Sequence, residues 1–262
     1  MLLAIDVGNT NIIFALVEDL EIRARWRIST NWNRTADEYG VWLHQLLALA
    51  GVEPAMIDSV IIASVVPQTL FNLRGLARYY FDVEPMICNA PGISYGMPIN
   101  LPNPQEVGAD RVVNAVAAHA QWPGDLIIVD FGTATTFDVV SGDGVYEGGA
   151  ICPGVNISMD ALYLAASRLP RIAVEPPRDG QGAIGKGTVH AMHSGAFWGQ
   201  IGMIEGLIVR MTAEIGRPAT VIGTGGIAPL FARHTAAIHH VDGDLTIKGL
   251  IHIHQLNQKA AA

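Results

Sequence analysis

Ala4-Ile5-Asp6-Val7-Gly8-Asn9-Thr10-Asn11 and Ile128-Val129-Asp130-Phe131-Gly132-Thr133-Ala134-Thr135 are one pattern written twice. Each copy is an apolar run that ends at an aspartate and continues through a glycine into small hydroxyl or amide side chains. A second apolar, β-branched run follows each time, Ile12-Ile13-Phe14-Ala15-Leu16-Val17 in the first copy and Thr136-Phe137-Asp138-Val139-Val140 in the second. The spacing predicts a strand, a tight turn and a returning strand. Glycine lets main-chain N–H groups approach an anion closely, and a carboxylate at the mouth of such a turn suits a metal ion carried on phosphate. Two such turns predict two related halves that face one nucleotide cleft.

Around the first copy, Glu21 to Ile28 alternates charged with apolar or small residues, as a partly exposed antiparallel strand does. Thr35 and Glu38 are spaced as a capping box before the helical stripe Val41-Trp42-Leu43 and Leu46-Leu47. A buried strand is expected at Asp58–Ser64, a helix over 68–81 and a short strand at Pro85–Cys88. Asn89 to Pro104 carries no periodicity, and a helix is expected from Glu106 to Gln121.

Trp122-Pro123-Gly124-Asp125 breaks the chain, and the programme restarts with strands at 126–131, 135–140 and 145–151. A helix over 156–168 and a polar loop, Arg178-Asp179-Gly180-Gln181-Gly182, precede a long helix over 187–215. Then come the strand Ala219–Gly223, the turn Thr224-Gly225-Gly226, a short helix, a strand near 238–241 and a last helix after Asp244. Three antiparallel strands followed by helix–strand alternation, done twice, describe an α/β chain of two ribonuclease-H-like domains, 1–122 and 123–262. Each holds a mixed five-stranded sheet with helices.

Of 262 residues, 50% are hydrophobic and 15% charged, a composition that excludes disorder and leaves room for two cores. The net charge of −8, without a basic cluster, argues against nucleic-acid binding. No apolar run reaches the length of about 18 residues that a membrane span needs. Met1-Leu2-Leu3-Ala4-Ile5 meets Asp6 too early for a signal peptide, and Cys88 and Cys152 are far apart. A cytoplasmic protein with reduced thiols is expected. His190 and His193, His239-His240 and His252/His254 have no cysteine or carboxylate at ligand spacing, which speaks against a structural zinc.

With Glu106-Val107-Gly108-Ala109-Asp110-Arg111, Gly148-Gly149-Ala150-Ile151-Cys152-Pro153-Gly154 and Thr224-Gly225-Gly226, the two acidic turns resemble type III pantothenate kinase, in the actin-like ATPase superfamily. The likeness runs from residue 1 to about 256. It implies ATP-dependent phosphorylation of pantothenate to 4'-phosphopantothenate, the first step of coenzyme A biosynthesis. Magnesium, a monovalent cation (potassium or ammonium) and a homodimer are implied with it. By resemblance Asp6, Val7, Gly8, Asn9, Thr10, Asn11, Ile12, Ile13 and Thr133 bind ATP, with Asp6 ordering hydrated magnesium and Asp130 holding the monovalent cation. Gly108, Ala109, Asp110, Arg111 and Thr188 bind pantothenate, with Asp110 as general base and Arg111 clamping the substrate carboxylate.

Bland roles compete at several of these positions. Asp110 also suits the helix dipole, and Thr188 also suits a helix cap. Relatives often carry tyrosine where this chain has Leu101, and Asn where it has Gly187. Gly195, Gly199, Gly202 and Gly206 would allow another helix to approach closely, in keeping with dimerisation, and Phe197, Trp198, Ile201, Ile204 and Ile208 form a core or seam stripe. Two other readings stay open: an accessory protein of the same fold without kinase activity, and a kinase for another small alcohol.

Overall fold

The structure is a computed structural model that describes residues 1–166, 168–176 and 182–261; Arg178–Gln181 of the expected polar loop lie outside the described residues. In chain order the strands are Leu2–Val7 (β1), Asn11–Glu18 (β2), Glu21–Ser29 (β3), Ser59–Ser64 (β4), Met86–Ile87 (β5), Asp125–Phe131 (β6), Ala134–Val140 (β7), Tyr146–Pro153 (β8), Ala219–Thr224 (β9) and His240–Val241 (β10). The α-helices are Ala36–Leu49 (α1), Leu70–Phe81 (α2), Ala109–Gln121 (α3), Val155–Ala165 (α4), Thr188–Ile215 (α5), Ala228–Ala232 (α6) and Leu245–Ala261 (α7).

The strands form two five-stranded sheets with one plan. The first runs β3-β2-β1-β4-β5 and the second β8-β7-β6-β9-β10. In both, the first three strands are antiparallel and the last two join in parallel. The two quoted hairpins are therefore β1–β2 and β6–β7, the centres of their sheets. Central strands are covered on both faces, which is why Leu2–Ile5 and Leu126–Val129 are apolar without interruption. The edge strand β3 alternates exposed and half-buried residues along its length.

Compact packing groups the chain into two units, which the expected division at 122–123 describes as contiguous halves. One unit comprises Met1–Pro98, Pro102–Ala117 and α7; the other comprises Ile99–Leu101 and Ala118–Asp244. In the first, α1 and α2 cover one face of the sheet through Tyr39, Leu43, Leu47, Leu73 and Leu76. The Thr35–Glu38 capping box is present: the Glu38 N–H donates to Thr35 Oγ1 at 3.2 Å and the Thr35 N–H to Glu38 Oε2 at 2.7 Å. The other face carries Val113 of α3 with Ile247, Leu250, Ile251 and Ile253 of α7. A Cβ on Gly249 would stand 2.7 Å from Val113 Cγ1, so glycine sets the close approach of these two helices.

In the second unit, Phe197, Ile201, Ile204 and Ile208 of α5 and Phe231 of α6 pack on Ile127, Val129, Phe131 and Phe137. That apolar stripe is core. The expected loop at Asn89–Pro104 is ordered in part by this unit, where Ile99 pairs in parallel with Tyr146 and the Asn100 N–H donates to Tyr146 O at 2.9 Å. Some boundaries differ from expectation. Helix α3 starts at Ala109 because Pro104–Glu106 forms a 3-10 turn and Val107 is extended; α4 ends at Ala165, and β10 has two residues.

Candidate functional site

The first acidic turn is a hairpin corner. The Gly8 N–H donates to Asn11 O at 3.0 Å and closes it. Thr30, just past β3, ties the corner from outside, its N–H donating to Thr10 O at 2.9 Å and its hydroxyl to Gly8 O at 2.6 Å. Asn9 and Thr10 are exposed, while Asp6, Gly8, Asn11 and Ile13 are half-buried. The side chains of Val7 and Ile12 lie in the core, so these two offer a ligand only main chain.

Strand alternation decides where Asp6 faces. It shares the side of β1 that bears Leu2 and Ala4, and it stands level with Ala63 of β4. Cys88 lies one residue past the Ile62–Ile87 pair of β4 and β5. Leu2, Ala4, Ala63 and Cys88 share one buried cluster with Ala109 and Val113 of α3. Asp6 and the first turn of α3 therefore lie on the same face of one sheet, at the C-terminal ends of its parallel strands, where open α/β sheets bind ligands. The Cys88 thiol registers this arrangement: burial first, and then the negative charge of Asp6, push its pKa up to about 12.

Asp110 is the second residue of α3. The Arg111 N–H donates to its Oδ1 at 2.8 Å, and a Cβ on Gly108 would stand 2.6 Å from the same oxygen. Loss of water around the carboxyl raises its pKa above the ordinary carboxylate value, outweighing the opposite pull of the Arg111 N–H and guanidinium. A carboxylate made more basic by burial, at the start of a helix and on the face of Asp6, is suited to accept a proton from an alcohol.

The second turn, in its own unit, is one residue shorter than the first. The Gly132 N–H donates to Ala134 O at 3.0 Å, and the Gly154 N–H to Thr133 O at 3.1 Å. Gly225, at φ +91°, brings the Thr224–Gly226 turn against Asp130; a Cβ there would stand 2.6 Å from both Asp130 Oδ1 and Phe131 O. A carboxylate and a carbonyl oxygen thus converge on one glycine, an oxygen cradle that a side chain would fill. Oxygen donors of this kind suit a hard cation. Among the described residues no group of three or more His, Cys, Asp or Glu could hold a metal ion.

Thr188 is the exposed first residue of α5 in the second unit. Gly187 occupies the capping position and no side chain caps this helix, so Thr188 is not a cap. Leu101 lies against Gly148, whose added Cβ would stand 3.2 Å from Leu101 Cδ2. Two polar ties escaped the sequence reading. One is Thr30. The other is Gln200, buried in α5, whose Nε2 donates to the buried Thr135 Oγ1 at 3.0 Å. Extending the repeat past the third strand would have drawn attention to Thr30, because Gly154 holds the matching place in the second copy.

A family model described as type III pantothenate kinase matches residues 2–210. The chain belongs to the type III pantothenate kinase family. A protein of that name from Rhizorhabdus wittichii is 57% identical over 250 residues, covering 95% of this chain and 96% of its own. Another from Rhodospirillum rubrum is 55% identical over 258 residues, covering 98% and 99%. As a member of a kinase family the chain is a phosphotransferase with ATP as co-substrate. Solved structures match in fold. One from Campylobacter jejuni, described as a conserved Baf family transcriptional activator, has a TM-score of 0.60 at 19% identity and covers 98% of this chain and 99% of its own. One from Sinorhizobium meliloti, described as a 2-dehydro-3-deoxygalactonokinase, has a TM-score of 0.59 at 13% identity and covers 99% and 96%. The likeness to these two structures is one of fold. Among the described residues no helix is long and apolar enough to cross a membrane.

Proposed function

We propose that the chain transfers the γ-phosphoryl group of ATP to the primary hydroxyl of pantothenate, giving 4'-phosphopantothenate for coenzyme A. The observation that carries this reading is the desolvated Asp110 carboxylate on the same sheet face as Asp6, in a chain of this family. Phosphoryl transfer asks little covalent chemistry of a protein; it asks for alignment, charge neutralisation and a proton acceptor. Asp110 is that acceptor, taking the hydroxyl proton as the oxygen attacks phosphorus. Arg111 pairs with the pantothenate carboxylate, and Gly108, Ala109 and Thr188 complete the substrate contacts.

The main chain of Asp6–Ile13, with the Asn9, Thr10 and Asn11 side chains, receives the ATP phosphates, and Thr133 contributes from the second turn. Asp6 would order a hydrated magnesium ion and Asp130 a potassium or ammonium ion; bound there, they would neutralise phosphate charge. The oxygen cradle at Gly225 supports the second assignment. Homodimerisation through α5 is supported by Gly195, Gly199 and Gly202, where an added Cβ would meet nothing within 4 Å. A cytoplasmic location fits the same pathway.

The test is product formation by pure protein with magnesium ATP, pantothenate and either potassium or ammonium, read by mass spectrometry. Appearance of phosphopantothenate supports the reading, and its absence rejects it. A panel of small alcohols under the same readout would show whether Leu101 shifts the preferred acceptor.

A further inference from the structure

We infer that Thr30 is a positioning residue for the nucleotide phosphates, through its hold on the Gly8–Asn11 corner. An anion at such a corner needs main-chain N–H groups turned toward it and carbonyl oxygens turned away. Thr30 occupies two carbonyls at once: Gly8 O takes its hydroxyl at 2.6 Å and Thr10 O takes its N–H at 2.9 Å. Peptide planarity then sets the rest. Gly8 O and the Asn9 N–H belong to one trans peptide unit, so fixing the oxygen toward Thr30 directs that N–H to the opposite side.

The place that matches Thr30 in the second turn carries no hydroxyl. There Gly154 takes the matching place, its N–H donating to Thr133 O at 3.1 Å. A Cβ on Gly154 would stand 2.8 Å from Gly132 O, so no hydroxyl-bearing side chain could enter. Thr30 holds the first corner by main chain and side chain, and Gly154 meets the second with its main chain. A lone main-chain tie leaves the Gly8–Asn9 peptide free to rotate; the hydroxyl removes that freedom before the nucleotide arrives, and so lowers the ordering cost of binding.

The inference rests on the reading of Asp6–Ile13 as the ATP phosphate site. Its test is steady-state kinetics of Thr30→Val, which keeps the shape and the N–H but lacks the hydroxyl, beside Thr30→Ser, which restores it. Thr30→Val is expected to raise KM for ATP up to about tenfold, the value of one lost hydrogen bond, with a smaller change in KM for pantothenate. Thr30→Ser is expected to return KM for ATP close to the wild-type value. An unchanged KM for ATP in Thr30→Val, or equal loss in both variants, overturns the inference. Should Thr30→Val fail to fold, Thr30→Ala decides in the same assay: a KM for ATP raised above that of Thr30→Ser supports the inference, and a KM equal to it overturns it. Calorimetry separates the two levels. Wild type that binds no ATP overturns the phosphate reading and this inference together, whereas wild type that binds ATP beside an indifferent Thr30→Val overturns the inference alone.

Discussion

The Asp110 carboxylate lies in the space that a side chain at Gly108 would fill, with Oδ1 2.6 Å from the position of a Cβ. The Gly108→Ala variant must therefore push that carboxylate from its place. Turnover is expected to fall on the order of a hundredfold, the cost of misplacing a reacting group by a fraction of its contact distance. The fold should survive, because residue 108 precedes the helix and its dihedrals are not left-handed. Kinetics together with a thermal melt checks both halves of the expectation.

Asp110→Asn removes the proton acceptor and keeps the shape. Turnover should drop by about 10² to 10⁴, the usual worth of a positioned base, with ATP binding retained. Stability should move the other way. The folded-state pKa of Asp110 is raised, so its stabilising contribution is present below the ordinary value of 3.8 and is lost as pH rises through the folded value. At neutral pH the ionised group is a burden, and the asparagine variant should melt at the same temperature or higher. For the same reason kcat/KM of the wild type should decline on acidification with a midpoint above pH 3.8.

Gly225→Ala places a Cβ 2.6 Å from Asp130 Oδ1 at a residue with φ +91°. Strain of about 1–3 kcal/mol is expected, and a side chain in the oxygen cradle should weaken activation by potassium or ammonium. A titration of activity against each cation measures the second effect. Unaltered cation dependence in a folded Gly225→Ala protein would count against Asp130 as the ligand.

Gly249→Ala tests the packing of α7 on the first unit. The new methyl would meet Val113 Cγ1 at 2.7 Å and press on the main chain of α3. Overpacking should cost about 1–3 kcal/mol, read by urea unfolding. A surface glycine such as Gly243, where a Cβ would meet nothing within 4 Å, serves as the control and should show little change.

Arg217 donates from Nε and Nη2 to Asp125 at 2.8 Å each, and the Gly142 N–H donates to the same carboxylate at 2.9 Å. The Arg217 hydrogen bonds are the main cause of the lowered Asp125 pKa. The stability this contributes is present above the ordinary value of 3.8 and is lost as pH falls through the lowered value. The Arg217 side chain is 66% exposed and water screens its charge, so Arg217→Ala should lower the melting temperature only modestly at neutral pH. Melts of both proteins should converge once the carboxylate is protonated.

Much of this molecule is legible in its sequence. The hairpins β1–β2 and β6–β7, the Thr35–Glu38 cap and the helices α2 and α5 fall close to where periodicity and turn residues put them. Such signals are local, because a residue's burial repeats every two or every 3.6 positions along its own segment. Where the deciding partner lay far away, the reading thinned. Ile99 and Asn100 show no period, yet pair with Tyr146; the Thr188 hydroxyl suited a cap, yet Gly187 occupies that place.

By itself the sequence determined the duplicated acid–glycine hairpin and the family, since these follow from the order of residues along short stretches. Only the tertiary structure decided that α7 covers the first sheet, that Asp6 faces the start of α3 and that Thr30 grips the Gly8 corner. Each of those depends on strand register and on helices meeting across long stretches of chain, and such contacts form where buried area and hydrogen bonds outweigh the entropy of closing the loop between them.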